Sequence, residues 1–180
     1  MYKKVSKCAV LVLSAAAIIL AFPGCDLLSG LFGGNKDGDP VTIPDSVAAD
    51  AAYATLENDF ITAINKERTD NGALALTRES SIDGLARRYS KAGTIDVGDN
   101  LYDRIAAAYG SCTDACEFQF SSSSAPSVTT AMTSWLSQGG ATAAMRSASF
   151  TKIGIGIVTG PAPQGIGGTW IWVTVLLAKP

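Results

Sequence analysis

Residues 135–157 read WLSQGGATAAMRSASFTKIGIGI, and their two ends carry different periods. Upstream, Val128, Ala131, Met132 and Trp135 recur at three- and four-residue spacing, so Trp135 lies on the apolar face of a helix. Downstream, Ile153, Ile155 and Ile157 alternate with Gly154 and Gly156, which is the period of a strand with one bulky face and one bare face. Between them lies a bland connection of small residues with almost no functional groups.

Working toward the C-terminus, TWIWVTVLLAKP is apolar or β-branched at nearly every position, as expected of a strand covered on both faces. The turn formers of PAPQGIGG make the two strands a hairpin. A further strand is expected at CEFQFS, where Phe118 and Phe120 alternate with polar residues. Toward the N-terminus the period is helical. Tyr53, Leu56, Phe60, Ala63 and Ile64 mark a first helix, with Ser46 as its cap and Asn71-Gly72 as its stop. Ile82, Leu85, Ala86 and Tyr89 mark a second, capped by Thr77 or Ser80 and ended by Gly93. DNLYDRIAAAYG repeats the pattern, with Asn100 as cap and Gly110 as terminator. Helices first and strands last predict an α+β fold, a three-layer α-β-α sandwich whose central, mainly antiparallel sheet is flanked by helices.

The first 24 residues have a different character. MYKKVSK holds Lys3, Lys4 and Lys7 without an acid, and AVLVLSAAAIILAF follows, the arrangement of a secretory leader. The apolar run is shorter than the roughly 20 residues a membrane-spanning helix needs. It stops at FPGC, which resembles the bacterial lipobox, in which signal peptidase cuts before a lipidated cysteine. Phe22 and Pro23 replace the usual leucine and small residue. This reading makes residues 1–24 a signal peptide, Cys25 the lipidated residue and residues 25–46 a flexible linker, with the folded domain at 47–180. The chain is then a lipoprotein held by its N-terminal lipid to a membrane of the bacterial cell envelope, facing the periplasm or the exterior. Loss of the leader takes the net charge from −2 to −5, which leaves no basic stripe for nucleic acid. Of the four cysteines, Cys112 and Cys116 remain in the domain. In an oxidising compartment a disulfide between them is the expected use, with free thiols as the alternative.

The chain has no histidine. That removes the commonest general base and the commonest zinc ligand. No phosphate-cradling loop or dinucleotide fingerprint is present, because the glycines of GIGIVTG alternate within a strand. Ser90-Lys91 lacks the Ser-x-x-Lys spacing of a lysine-activated serine. Five acids, Asp96, Asp99, Asp103, Asp114 and Glu117, could support paired-carboxylate chemistry, although such residues are more often solvated loop and cap groups.

From about Leu56 to Lys179 the chain resembles the CAP superfamily of cysteine-rich secretory, antigen 5 and pathogenesis-related proteins, in its short bacterial form. FITAINKERTDNGALAL is similar to the opening helix through Asn65, Glu67, Arg68, Gly72 and Leu76, and LYDRIAAAYG to a later helix through Asp103, Arg104 and Tyr109. Bacterial members carry a tryptophan, a His-Arg pair six residues on, a phenylalanine nine further, and then IGvGv. Trp135 and Phe150 frame that histidine position from both sides, and it is Ala141. The resemblance implies a cleft with two histidines and two glutamates that in several members holds a divalent metal. Here it would be a degenerate cleft of Asp96, Asp99, Glu117, Trp135 and Ala141, with no catalytic residue, no metal and no cofactor. Thr129 and Thr130 stand where bacterial members often place glutamate. The implied function is a non-enzymatic module that binds a lipid, glycan or protein ligand. The alternative is a hydrolase of envelope glycan or peptide, with Glu117 and Asp99 or Asp103 as acid and base.

Overall fold

A computed structural model describes residues 9–13, 47–92, 101–162 and 168–180. In chain order these form β1 (Ala9–Leu13), α1 (Ala54–Asp70), β2 (Thr77–Arg78), α2 (Ser80–Ala92), α3 (Leu101–Tyr109), β3 (Asp114–Ser122), α4 (Val128–Leu136), α5 (Gly139–Arg146), β4 (Lys152–Pro161) and β5 (Thr169–Lys179). The sheet order is β1-β3-β5-β4-β2. β5 pairs antiparallel with both β3 and β4, while β1 and the two-residue β2 add in parallel at the outer edges. Among the described residues no helix is long and apolar enough to cross a membrane.

The expected three-layer α+β sandwich forms, and strand alternation decides which layer each side chain meets. Cys116, Phe118 and Phe120 of β3, Val173, Val175 and Leu177 of β5, and Ile153, Ile155 and Ile157 of β4 share one face. They are buried against Phe60 and Ile64 of α1, Ala131, Met132 and Trp135 of α4, and Ala141 and Met145 of α5. The opposite face puts Leu176 and Ala178 against Ile82, Leu85, Ala86 and Tyr89 of α2 and Ile105 of α3. The central place of β5 accounts for its unbroken apolar run, since both of its faces are covered.

The Ile/Gly alternation now has a steric cause. A Cβ on Gly154 would stand 2.4 Å from the Ile82 carbonyl carbon, and one on Gly156 would stand 2.1 Å from the Arg87 amide nitrogen. The α2 backbone therefore lies directly on β4, at a distance only glycine permits. Ser90 Oγ, one turn further along, sits 2.9 Å from both Gly156 O and Thr174 Oγ1.

Three details differ from the sequence expectation. The bland connection after Trp135 is a helix, α5, whose buried Ala141 and Met145 are one turn apart; the glycine pair at its start obscured that short period. Thr77 belongs to β2 rather than to a helix cap. The first helical turn starts after Asp50, whose side chain accepts from the Ala52 amide at 2.9 Å, while Ser46, Gly93 and Asn100 fall outside the described residues. The glycine stops are as expected, with Gly72 and Gly110 at φ of 81° and 104°, in the left-handed region. Five residues of the expected leader form β1, paired in register with 117–121 of β3.

Candidate functional site

Glu117 is the one carboxylate that the sequence reading places in a strand beside the sheet's core. Alternation turns it away from Phe118 and toward the α2/α3 layer, in a row with Gln119 and Ser121. All three are buried, an unusual load of polar side chains for one strand face. Gln119 Nε2 donates to Glu117 Oε1 at 2.9 Å, and Gln119 Oε1 has no hydrogen-bond partner among the described residues. Thr174, opposite Gln119 on β5, continues the row to Ser90 of α2.

Trp135 and Ala141 are on the other side of the sheet. Trp135 is fully buried, its ring centroid 5.9 Å from that of Phe60 and 5.8 Å from that of Phe118, and its Nε1 donates to Gln119 O at 2.9 Å. Ala141 is fully buried in the same apolar cluster. The sheet thus separates Glu117 from both, and these three residues do not line one cleft. Asp96 and Asp99 lie outside the described residues. Asp103 is exposed on α3.

A metal of the kind the family implies does not fit this donor set. The position that would carry an imidazole presents a methyl group inside the core, and the nearest glutamate relic faces the opposite layer, engaged by Gln119. Among the described residues no three His, Cys, Asp or Glu side chains come together as a metal site would require.

The expected disulfide is also corrected. Cys112 and Cys116 are not joined to each other in a disulfide. Cys116 is buried in the α1/α4/α5 layer, whereas Cys112 packs at the α2/α3 layer with its thiol 3.3 Å from Asp114 O. Burial pushes the Cys112 thiol above its ordinary pKa, so it stays protonated.

Two clusters that sequence reading missed hold the layers together. Glu57 of α1 accepts from Arg78 Nη2 at 2.6 Å, from Arg87 Nε at 2.9 Å and from Arg87 Nη2 at 2.7 Å. Arg78 Nε also donates to Asp83 Oδ2 at 2.7 Å, and Asp83 Oδ1 accepts from the Ile155 amide at 2.8 Å. The network joins α1, β2, α2 and the edge of β4. Burial raises the Asp83 pKa, and its bonds to the Ile155 amide and Arg78 only partly oppose that. The signal for it was an Asp83/Arg87 pair, four residues apart, beside the apolar stripe of α2.

The second cluster explains the motif of the first helix. Arg68 is fully buried, and its guanidinium donates to four carbonyls: Leu74 at 2.9 Å, Met145 at 2.7 Å, Ser147 at 2.9 Å and Phe150 at 3.0 Å. Asn65 pairs with both backbone groups of Leu76, at 3.1 and 2.7 Å, and Glu67 accepts from Arg146 Nη2 at 2.6 Å. These residues fasten the end of α1 to the end of α5 and the start of β4. They are scaffold rather than site.

Among the described residues are two surface depressions. One, of about 280 Å³, lies between α1 and α4, with Ala63, Val128, Met132 and Leu136 as its floor and Lys66, Glu67, Asp70, Thr129 and Thr133 on its rims. The other, of about 220 Å³, lies among Val47, Ala48, Asp50, Lys91, Val158 and Thr159.

The model of the cysteine-rich secretory protein (CAP) family matches residues 61–176. The chain belongs to the CAP family. This CAP domain shares its fold with an outer surface protein from Borrelia burgdorferi, at TM-score 0.56 and 16% identity over 74% of this chain and 98% of that one. A cysteine-rich secretory protein from Staphylococcus aureus subsp. aureus Mu50 gives TM-score 0.53 and 13% identity, over 70% of this chain but only 39% of its own. No curated protein matches the CAP chain in sequence. The matched span contains Asn65, Arg68, Trp135, Phe150 and the Ile/Gly strand, and the contacts above assign each of them to packing.

Proposed function

We propose that this CAP domain is a non-catalytic binding module, held by a lipid on Cys25 to a bacterial envelope membrane and presented to the periplasm or the exterior. The observation that carries the non-catalytic reading is the separation of Glu117 from Ala141 and Trp135 by the sheet: of the family's cleft positions, those among the described residues lie in a packed core on one side and in a hydrogen-bonded row on the other. Anchoring is supported by the basic start, the apolar run and Cys25 after Gly24. An exposed location agrees with the similarly folded Borrelia burgdorferi protein, which is an outer surface protein.

The test expresses the full chain in a bacterial host and follows the mature N-terminus by intact mass and metabolic labelling with a fatty acid. Cleavage before Cys25 with acyl addition is expected, and an unmodified chain beginning elsewhere would reject the anchor. The processed protein should bind an envelope component, with affinity unchanged by strong chelation. Turnover of a glycan or peptide that is lost in Glu117→Gln would replace the binding reading with the carboxylate hydrolase.

A further inference from the structure

The two edges of the sheet are finished differently. Along β4, β2 pairs with Lys152 and Ile153, the Thr77 amide donates to Thr151 O at 3.0 Å, the Glu79 amide to Ile153 O at 2.9 Å, and the Asp83 carboxylate takes the Ile155 amide at 2.8 Å. That edge is closed by domain residues. Among the described residues the edge of β3 is closed by β1 alone, whose Ala9–Leu13 run parallel to residues 117–121.

These same five residues form the centre of the expected leader. A segment that is removed before Cys25, or held in a membrane until it is removed, cannot also complete the sheet. In the processed chain residues 117–121 would present a bare strand edge. Folded proteins usually protect such an edge with proline, lysine, a bulge or an inward charge. The sequence DACEFQFSS of β3 has no proline and no basic residue, and its one inward acid, Glu117, stands at the first paired position and is bonded to Gln119, which leaves 118–121 without a charge.

We propose that the outer edge of β3 accepts a strand from a partner, and that the occupant is an extended, uncharged aliphatic segment running parallel to β3. The proposal rests on the lipoprotein reading for the vacancy of the edge. The chemistry of the occupant is that of the segment seated there, Ala-Val-Leu-Val-Leu. Strand addition takes its affinity from main-chain hydrogen bonds and its selectivity from side chains at alternate positions. Five paired residues fit one short segment of a partner rather than a broad interface.

The probe is a synthetic peptide of residues 7–15 with Cys8→Ser, labelled for fluorescence anisotropy and added to the processed chain. Saturable binding is expected, with amide exchange at 117–121 slowed about tenfold or more, and both effects lost in the peptide with Val10→Pro and Leu11→Pro, since alternate residues of a parallel strand bond to its neighbour and one of the two must lose a ladder donor. Absence of saturable binding, or equal binding by the proline peptide, overturns the proposal. Dimerisation of the processed chain that the peptide dissociates would assign the edge to a second copy and overturn the partner claim. Intact mass separates the two readings. If residues 1–24 are retained, the lipoprotein reading fails, and the edge is tested within the chain: the Val10→Pro, Leu11→Pro double variant must then speed exchange at 117–121, and unchanged exchange rejects strand acceptance.

Discussion

The contact between α2 and β4 makes Gly156→Ala the most informative substitution. The added methyl carbon would lie 2.1 Å from Arg87 N, 2.4 Å from Ala86 C and 2.4 Å from Arg87 Cα. Comfortable separations between such atoms are about 3.5–4.0 Å, so α2 would have to withdraw by more than about 1 Å. The obstacles are backbone atoms of a helix that no rotamer change can move. Overpacking of this kind costs about 1–3 kcal/mol. Withdrawal also stretches the 2.9 Å contact of Ser90 with Gly156 O and the 2.7–2.9 Å bonds of Arg87 to Glu57, worth about 1 kcal/mol each or more where charged. With those bonds weakened rather than lost, the total of about 3–4 kcal/mol is a large part of the stability of an ordinary domain and corresponds to a fall in Tm of about 10 °C. The assay is thermal and urea unfolding of the processed chain, with Gly139→Ala as control. A Cβ on Gly139 meets nothing within 4 Å and begins α5, so that variant should match the parent or gain up to about 1 kcal/mol. A Gly156→Ala protein that melts with the parent would refute the steric account, as would an equal loss in the control.

Three further outcomes follow from the same structure. Arg68→Ala removes four hydrogen bonds to carbonyls, two of them buried, and should cost about 3 kcal/mol or more, whereas a change below about 1 kcal/mol by urea titration would contradict the clamp. Ala141→His places an imidazole in a filled core, so unfolding should show a loss of about 3 kcal/mol; a rise in Tm on adding zinc would mean that the position opens onto a metal site after all. For Asp83, burial raises the folded pKa above the unfolded value near 3.8, so its protonated form favours folding and that contribution is lost as pH climbs through the raised value. The stability of Asp83→Asn relative to the parent should therefore increase from acid toward neutral pH, and a decrease over that interval would reverse the assignment.

The fold was legible because alternation survives in the parts that count. The isoleucines of β4, the unbroken apolar run of β5 and the Phe118/Phe120 pair of β3 each announced a face, and the sheet uses all of them as read. The glycines of β4 were visible as a bare face, but what lay against it was not, since the closeness of α2 is a property of two segments some 70 residues apart. The candidate site was less legible for a related reason. Spacing around Trp135 and Phe150 located Ala141 along the chain, but it carried no information on which side of the sheet α5 would lie. Glu117 and Ala141 were grouped by resemblance, and packing separates them. The thiols follow the same logic. Four residues of separation suggested a staple, while the turn into β3 sends Cys112 and Cys116 to different layers. The Arg68 clamp looked like a family signature and proves to be a fastening across 77 to 82 residues of chain, beyond the reach of any local pattern.

The central position of β5 has a consequence for synthesis. The strand that joins β3 to β4, Thr169–Lys179, is made after every other described strand. Until those residues emerge β3 and β4 share no partner, and each has at most its outer neighbour, β1 or the two-residue β2. Pairing that depends on β5 delays cooperative folding of the sheet until Lys179 is made. A truncation before Thr169 therefore removes the keystone of the sheet rather than a fringe.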